Sequence, residues 1–384
     1  MVYDVIIVWW GAAGLFCSLF LPKHSKKCII EKTERFGTKV LMSWWERCNL
    51  TNINFDPSIH YIGQLTKSLP SLFHAFGPED IITYLHEHGL ETKTEANGRV
   101  VLKSWKAKQL VDFLVDQSQK NNTDLLLSHD VLSIQQSHSE WNEESSIHDT
   151  PAYRRQASLS VQGDKKNHTF VVTTSAWVYI AQQVIVATWG MTYPQIGASP
   201  FAYEIAEHLW HALAIPHQAL CGIETKEDFS SLAGNTLPAK ITLYANNKVI
   251  YSATWSLLFT HRWISGPIIF NTSLYMDQDI SLYTLQCDFD LASSSKKVVQ
   301  YFKLAVGNTL RDIRVKALRP ITEAKVSVWW ILLKELDQHF QSKKIPWLYF
   351  IGESLDITWN TWWYNLQWAW TSAYVCAKKI GTKK

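Results

Sequence analysis

Residues 5–16 read VIIVWWGAAGLF, and the way this stretch parses decides the fold. Residues 5–8 are continuous and β-branched, as a strand covered on both faces should be, and residues 12–21 read as a helix that stops at Pro22. Residues 28–31, CIIE, read as the next strand of the same sheet. Residues 2–32 therefore predict a βαβ unit of about 30 residues, and a parallel sheet with it. Yet Trp9 and Trp10 stand where the chain turns from strand to helix, a place that favours small residues.

Working outward, residues 80–88 and 107–117 have helical spacing, and residues 125–134 read as a strand pair. Residues 137–166 are polar and charged, the composition of an exposed hairpin loop or flexible insertion. A strand over 183–188 leads into the loop TWGMTYPQIGAS. Residues 219–290 alternate apolar and polar around turns such as Asn246-Asn247, which predicts antiparallel β structure in a second domain. Residues 291–318 read as helical, 348–351 as a strand and 365–379 as a closing helix.

The chain has 384 residues, enough for two or three domains that fold by burial alone. Its 37 basic and 34 acidic residues nearly balance, so the strong basic field of a dedicated nucleic-acid binder is absent and small ligands are the better expectation. Six cysteines without CxxC spacing read as reduced thiols, and the expected location is the cytoplasm. With no basic leader and no run of about 18 apolar residues, neither secretion nor membrane spanning is expected. The composition is abnormal in one respect: 19 tryptophans against 16 glycines, when glycine usually supplies about 7% of a chain.

In a dinucleotide-binding βαβ unit, GxGxxG joins strand to helix and an acidic residue roughly 20 positions later binds a ribose hydroxyl. Gly11 and Gly14 supply the second and third glycines, Glu31 closes the second strand, and Trp9 occupies the first glycine's place. Four other stretches share the oddity: LMSWWERCNLTN, VIVATWGMTYP, FTHRWISGP and LYFIGESLDITWNTWWYNLQWAWTSAY. Together, and in order from Tyr3 to Ala377, they closely resemble the flavoprotein family that includes aminoacetone oxidase-like FAD-dependent oxidoreductases. In that family they read approximately GGGAAG, SGGGRCNLTN, ATGG, THxGxSGP and GExLDxxGxTGGYNLQWAxxSG.

Measured against that pattern, Trp9, Trp10, Trp44, Trp45, Trp189, Trp263, Trp359, Trp362 and Trp363 each stand where the family has glycine, and Trp329, Trp330 and Trp347 join them. Trp368 and Trp370 fall where the family itself uses aromatic residues. Neither drift nor selection would choose one bulky replacement so consistently at turns that need positive φ or close backbone approach. The expectation is a decoding artefact, in which the codon UGA is read as tryptophan although the source lineage reads it as glycine. UGG codons at positions 9, 10, 362 and 363 would refute this; a deliberately altered chain is the competing explanation.

The resemblance implies cofactor-binding roles for Trp9, Trp10, Gly11, Ala13 and Gly14 in the first turn, and for Glu31 with Lys32 at the ribose. It implies the same for Trp44, Trp45, Arg47, Cys48 and Asn49 near the pyrophosphate and isoalloxazine, with Glu46 replacing a usual small residue. By the same resemblance, Val131 lies where related flavoproteins use backbone groups to grip adenine, its side chain being simply core, and Ala187, Thr188, Trp189 and Gly190 form the ATGG-like crossing. Asp356, Trp362, Trp363, Asn365, Leu366 and Gln367 complete the set, the last three through amides at the positive end of a helix. His261 and Arg47 are the catalytic candidates, the former because histidine titrates near neutrality. A solvated carboxylate at Glu31, a packing thiol at Cys48, a structural histidine at 261 and a merely packed Tyr193 are the ordinary alternatives. No metal-ligand spacing, serine-nucleophile elbow or P-loop occurs, so no metal is expected.

The implied fold is α/β: a Rossmann-like FAD-binding domain from residues 1–194 and 326–384, with an inserted, mainly antiparallel β domain over 195–325 and a reduced helical segment at about 291–318. The implied function is FAD-dependent oxidation or reduction of a small organic molecule, with NAD(P)H or oxygen as redox partner and no nucleic acid or membrane involved. A non-catalytic remnant acting as a binding or scaffold protein, and an RNA-modifying flavoprotein, are the alternatives.

Overall fold

The computed structural model describes residues 1–9, 11–41, 49–57, 61–62, 69–137, 169–188, 190–292, 296–306, 310–328, 331–360 and 363–381. The β-branched run forms the strand Val2–Val8, the alanine-rich run the helix Ala12–Phe20, and the strand Lys27–Ile30 follows, so the βαβ unit is present. Val2–Val8 pairs in parallel with Lys27–Ile30 on one side and Val178–Val186 on the other. Thr123–Leu126 and Leu348–Phe350 extend the parallel set outward on either side. An antiparallel pair, Val131–Ser137 and Thr169–Thr174, completes this seven-stranded sheet beside Val178–Val186. Burial on both faces of the first strand matches its lack of polar alternation: Ile6, Ile7 and Val8 are fully buried.

Residues 125–134 do not form a strand pair with each other. Thr123–Leu126 runs parallel to Lys27–Ile30, while Val131–Ser137 pairs with Thr169–Thr174, so the two belong to different ends of the sheet. The helix Ala107–Lys120 packs against Ala12–Phe20 and leads back into the sheet; a buried hydroxyl pair, Ser18 with Ser118 at 2.7 Å, sits at their contact. The closing helix, Trp363–Gly381, also packs on Ala12–Phe20 through an aromatic cluster in which Phe16 and Trp370 meet at 5.0 Å.

A second seven-stranded sheet, antiparallel throughout, occupies residues 223–318. Its centre is the hairpin of Thr236–Ala245 and Lys248–Phe259, turned at Asn246-Asn247 with both residues at positive φ, the geometry of a tight hairpin turn. Residues 291–318 are not one helical segment. The helix is Lys296–Val306, and Leu310–Ile313 and Val315–Leu318 are edge strands of the second sheet. Burial shows why: Ile313 and Val315 point inward while Asp312, Arg314 and Lys316 point out, a period of two.

Among the described residues, eleven non-glycine residues have positive φ, and four of them are tryptophans: Trp9, Trp105, Trp210 and Trp347. Each occupies a turn whose geometry calls for glycine. Trp210 follows the helix Phe201–His208, and the bonds His211 N–H to Ala206 O and Trp210 N–H to Glu207 O, both 2.9 Å, make a Schellman motif with Trp210 at its left-handed position. Trp347 follows Pro346 in a turn closed by Leu348 N–H to Ile345 O, so it takes the type II position that requires φ above zero. Trp105 has φ of 60° at the end of a turn closed back to Leu102 O. By contrast Trp368 and Trp370 lie in regular helix, buried, with their indole N–H groups donating to Gly352 O and Leu50 O.

Trp210 offers a clean test, because it is 85% exposed and has little packing to lose. Trp210→Gly is expected to stabilise the fold by about 1 kcal/mol, since an L side chain in the left-handed region costs roughly 1–2 kcal/mol. Trp210→Ala keeps the Cβ and should gain almost nothing. Urea denaturation of the two variants checks this; equal stabilities would contradict it. Among the described residues, no helix is long and apolar enough to cross a membrane.

Candidate functional site

The carboxyl ends of four neighbouring parallel strands line up along one edge of the first sheet, where an open α/β sheet has its ligand crevice. Val2–Val8 ends at Trp9, Lys27–Ile30 at Glu31, Val178–Val186 at Ala187 and Thr188, and Leu348–Phe350 at Gly352 and Glu353. Main-chain bonds tie these ends together: Trp9 N–H to Ile30 O, Ala187 N–H to Val8 O and Ile351 N–H to Val186 O, all 2.8–3.0 Å.

The helix Ala12–Phe20 opens directly into this crevice from Gly11. Gly14 fixes its approach, for a Cβ there would lie 2.3 Å from the Trp9 carbonyl oxygen. Gly352, at φ of 70°, brings the loop after Leu348–Phe350 against Ala13. The first-turn amides, at the positive end of the helix, are thus held where an anion would sit.

Several polar groups of the cofactor-side strands and loops are buried. Glu31 accepts from the Thr33 amide at 2.7 Å, and Thr188, Thr192 and Asn49 are buried. The Thr188 and Thr192 hydroxyls and the Asn49 Oδ1 find no hydrogen-bond partner among the described residues. Asp356 is 6% exposed, and burial pushes its carboxyl up to about 6. These main-chain and polar groups fit a dinucleotide such as FAD.

The indole of Trp9 does not fit one. It is only 2% exposed, lies under the Lys32 ammonium at 4.7 Å and stacks on Phe201 at 6.1 Å, filling the space beside Glu31 that the fingerprint keeps bare.

The expected site residues distribute as follows. Trp9, Gly11, Ala13, Gly14, Glu31, Lys32, Ala187, Thr188 and Gly190 come together at the strand ends, and Gly190 is packed so closely that a Cβ would meet Ser327 Oγ at 1.7 Å. Val131 is buried and opens its strand. Asn49 starts the strand Asn49–Asn52, which lies on the closing helix. That helix begins at Trp363, so Asn365 falls in its first turn while the Leu366 and Gln367 amides lie past the first three positions. Gln367 also spends its side chain in the core, accepting from Thr51 Oγ1 at 2.7 Å and donating to Thr371 and Phe76 O.

His261 is exposed on the turn between Lys248–Phe259 and Ile264–Ser265, in the second sheet. Tyr193 accepts a hydrogen bond from Lys325 Nζ at 2.8 Å. Trp263 and Trp359 do not have positive φ; Trp263 stacks under Arg319 and Trp359 packs with Phe55 and Phe73, so the main chain there does not itself demand glycine. Trp10, Trp44, Trp45, Glu46, Arg47, Cys48, Trp189, Trp329, Trp330 and Trp362 lie outside the described residues.

Sequence reasoning missed the ion pair of Lys39 Nζ with Glu353 at 2.5 Å, half-buried at the crevice. Glu353 belongs to the quoted IGE motif and carried the available signal. Lys39, in the short helix Thr38–Leu41, carried none.

Asp356 makes stability pH-dependent. Its folded pKa lies above the unfolded value near 3.9, so the folded state binds more protons between about 4 and 6 and stability falls as pH rises through that window. Asp356→Asn in flavin-free protein should remove this slope and gain about 3 kcal/mol at pH 8. Urea unfolding at pH 5 and pH 8 measures both; an unchanged slope would contradict it.

Comparison with known proteins agrees with this architecture. The chain is 28% identical to the ribosomal RNA dihydrouridine synthase of Escherichia coli, over 98% of each chain. It is 20% identical to the 3-dehydro-bile acid delta(4,6)-reductase of Clostridium scindens, over 97% of each. Among solved structures, the 3-ketosteroid-delta4-(5alpha)-dehydrogenase of Rhodococcus jostii superposes with a TM-score of 0.54 at 12% identity, covering 99% of this chain and 96% of that one. Residues 3–149 and 140–379 match the family described as HI0933-like protein Rossmann domain, and the chain belongs to that family.

Proposed function

We propose that this protein is an FAD-dependent oxidoreductase whose cellular form carries glycine at position 9 and at the other indole-bearing turns. One observation carries the assignment: Trp9 sits at φ of 76° at the first glycine position of the fingerprint, with its carbonyl oxygen pressed against Gly14. Only glycine takes that conformation without strain while leaving the crevice open. FAD would then be held by the Gly11–Gly14 turn, Glu31, Thr188, Asn49 and Asp356, within a cofactor domain of residues 1–194 and 326–384. When bound, FAD supplies hydride transfer.

Two relatives support a reading of the substrate class. A dihydrouridine synthase and a 3-dehydro-bile acid delta(4,6)-reductase both, by name, add hydrogen across a carbon–carbon double bond conjugated to a carbonyl. We assign the same class here, a small conjugated carbonyl compound, with NAD(P)H as the hydride source that reduction requires. A second reading places that double bond in a uracil of RNA, favoured by the 28% identity along nearly the whole chain. The net charge of +3 lends it little electrostatic help.

The test is anaerobic. Flavin in the glycine-bearing protein is reduced, then mixed with a cyclic enone, a saturated ketone or unmodified ribosomal RNA. Return of the oxidised flavin bands with the enone alone supports the first assignment, and return with RNA alone supports the second. Reoxidation by the saturated ketone as fast as by the enone would overturn both.

A further inference from the structure

In the second sheet one side chain fills a place that its neighbours shape for a flat ring. The indole of Trp263, half-buried, lies face-on beneath the Arg319 guanidinium at 4.3 Å. Its edge rests on Gly222, where an added Cβ would stand 2.5 Å from the indole Cδ1 and 2.9 Å from Nε1. Gly222 is not among the glycines with positive φ, so its backbone does not call for glycine; what the missing Cβ provides is room for the ring.

Both walls are fixed without help from the indole. Arg319 commits its edge donors to carboxylates, Nε and Nη2 to Glu323 at 2.9 and 2.5 Å and Nη1 to Glu224 at 2.5 Å, which leaves the flat face for stacking. Its amide donates to Gly222 O at 2.9 Å and so ties the two walls together. Residue 263 is held through its main chain: its N–H donates to Thr260 Oγ1 at 3.0 Å, and its carbonyl accepts from the Thr260 amide at 3.0 Å and hydroxyl at 2.5 Å. Glycine keeps all three bonds. Removing the indole therefore empties a slot of known shape, open to solvent on one side. The slot also stands where the two sheets join. Gly222 precedes the strand Ile223–Thr225 and Arg319 follows its partner Val315–Leu318, and beyond them lie the paired strands His217–Ala219 and Val326–Val328. Ser327, in that pair, accepts from the Met191 amide of the loop after Val178–Val186 at 3.2 Å.

We infer that in the glycine-bearing form the space between Gly222 and Arg319 is a binding slot for a flat, conjugated ring, which stacks on the guanidinium in the place the indole holds here. This rests on the glycine-bearing form proposed above, but not on the cofactor. The ring belongs either to a free small molecule or to a base of RNA, and stacking on arginine serves both.

The experiment uses the full chain with Trp263→Gly as its only change, so it needs no flavin. Indole is the shape-matched probe, followed by equilibrium dialysis. It should bind Trp263→Gly at least about tenfold more tightly than the parent and raise the melting temperature of the variant. Arg319→Lys in that background keeps the charge but loses the flat face, and should weaken indole roughly tenfold. Gly222→Ala should lower the melting temperature of the parent, where it meets the indole; in Trp263→Gly, where the next atom is Arg319 Cγ at 3.1 Å, it should leave the melting temperature nearly unchanged yet weaken indole. Cyclohex-2-enone, uridine and a short uridine-containing RNA stem-loop then compete with indole, and the one effective at the lowest concentration identifies the source of the ring. Equal indole affinity in Trp263→Gly and the parent overturns the slot. So does a destabilised Trp263→Gly that indole does not restore, or failure of all three competitors to displace indole. A glycine-bearing protein that binds indole in this way but no flavin would defeat the cofactor assignment and leave the slot standing.

Discussion

Trp9→Gly combined with Trp10→Gly should turn a colourless protein yellow. The substitution at 9 relieves about 1–2 kcal/mol of left-handed strain and removes a buried indole that contacts Lys32 and Phe201. A diphosphate then reaches the amides that open the helix Ala12–Phe20. Together these terms should raise FAD affinity by roughly 100-fold or more. Trp9→Ala should fall between, because it empties the space but keeps a Cβ at φ of 76°. Flavin absorbance per chain after dialysis against FAD is the readout. Equal flavin content in the chain as written and in the double glycine variant would contradict the account.

The opposite change at the other end of the same turn should be the most damaging. In Gly14→Ala the new methyl would lie 2.3 Å from the Trp9 carbonyl oxygen and 3.3 Å from both Ala187 Cβ and Ile7 Cγ2. Main chain cannot swing aside as a flexible side chain can, so the helix must lift from the sheet. A loss of about 3 kcal/mol is expected, with loss of any bound flavin. Gly381→Ala is the control: among the described residues its Cβ meets nothing nearer than Pro22 Cγ at 3.7 Å, and it should change stability by less than about 0.5 kcal/mol. Denaturant midpoints compare the two, and equal effects would contradict the tight-turn argument.

Much of the cofactor side was legible because its signals are local. The β-branched run at 5–8, the glycines at 11 and 14 and the acidic residue at 31 lie within one βαβ unit, and the strand ends meet as that pattern requires. The hairpin turned at Asn246-Asn247 was legible for the same reason.

What escaped the sequence depends on distant contacts. Residues 310–318 read as helix because the single sequence hides that Ile313 and Val315 face a core made by the strands Tyr283–Phe289 and Ile223–Thr225. The two strands after Ala107–Lys120 belong to opposite ends of one sheet, which short apolar runs cannot reveal. Lys39 meets Glu353 across more than 300 residues. Trp105 and Trp210 fell outside the family motifs, and only their backbone angles mark them as glycine-like positions. Trp359, inside a motif, instead packs comfortably among aromatic rings.

Native mass spectrometry of the protein isolated from its own cells weighs the polypeptide and any bound flavin together. The account predicts a chain lighter than the written sequence by one indole-bearing side chain for each recoded position, carrying one FAD. A chain at the full mass of nineteen tryptophans that still holds FAD firmly would contradict it.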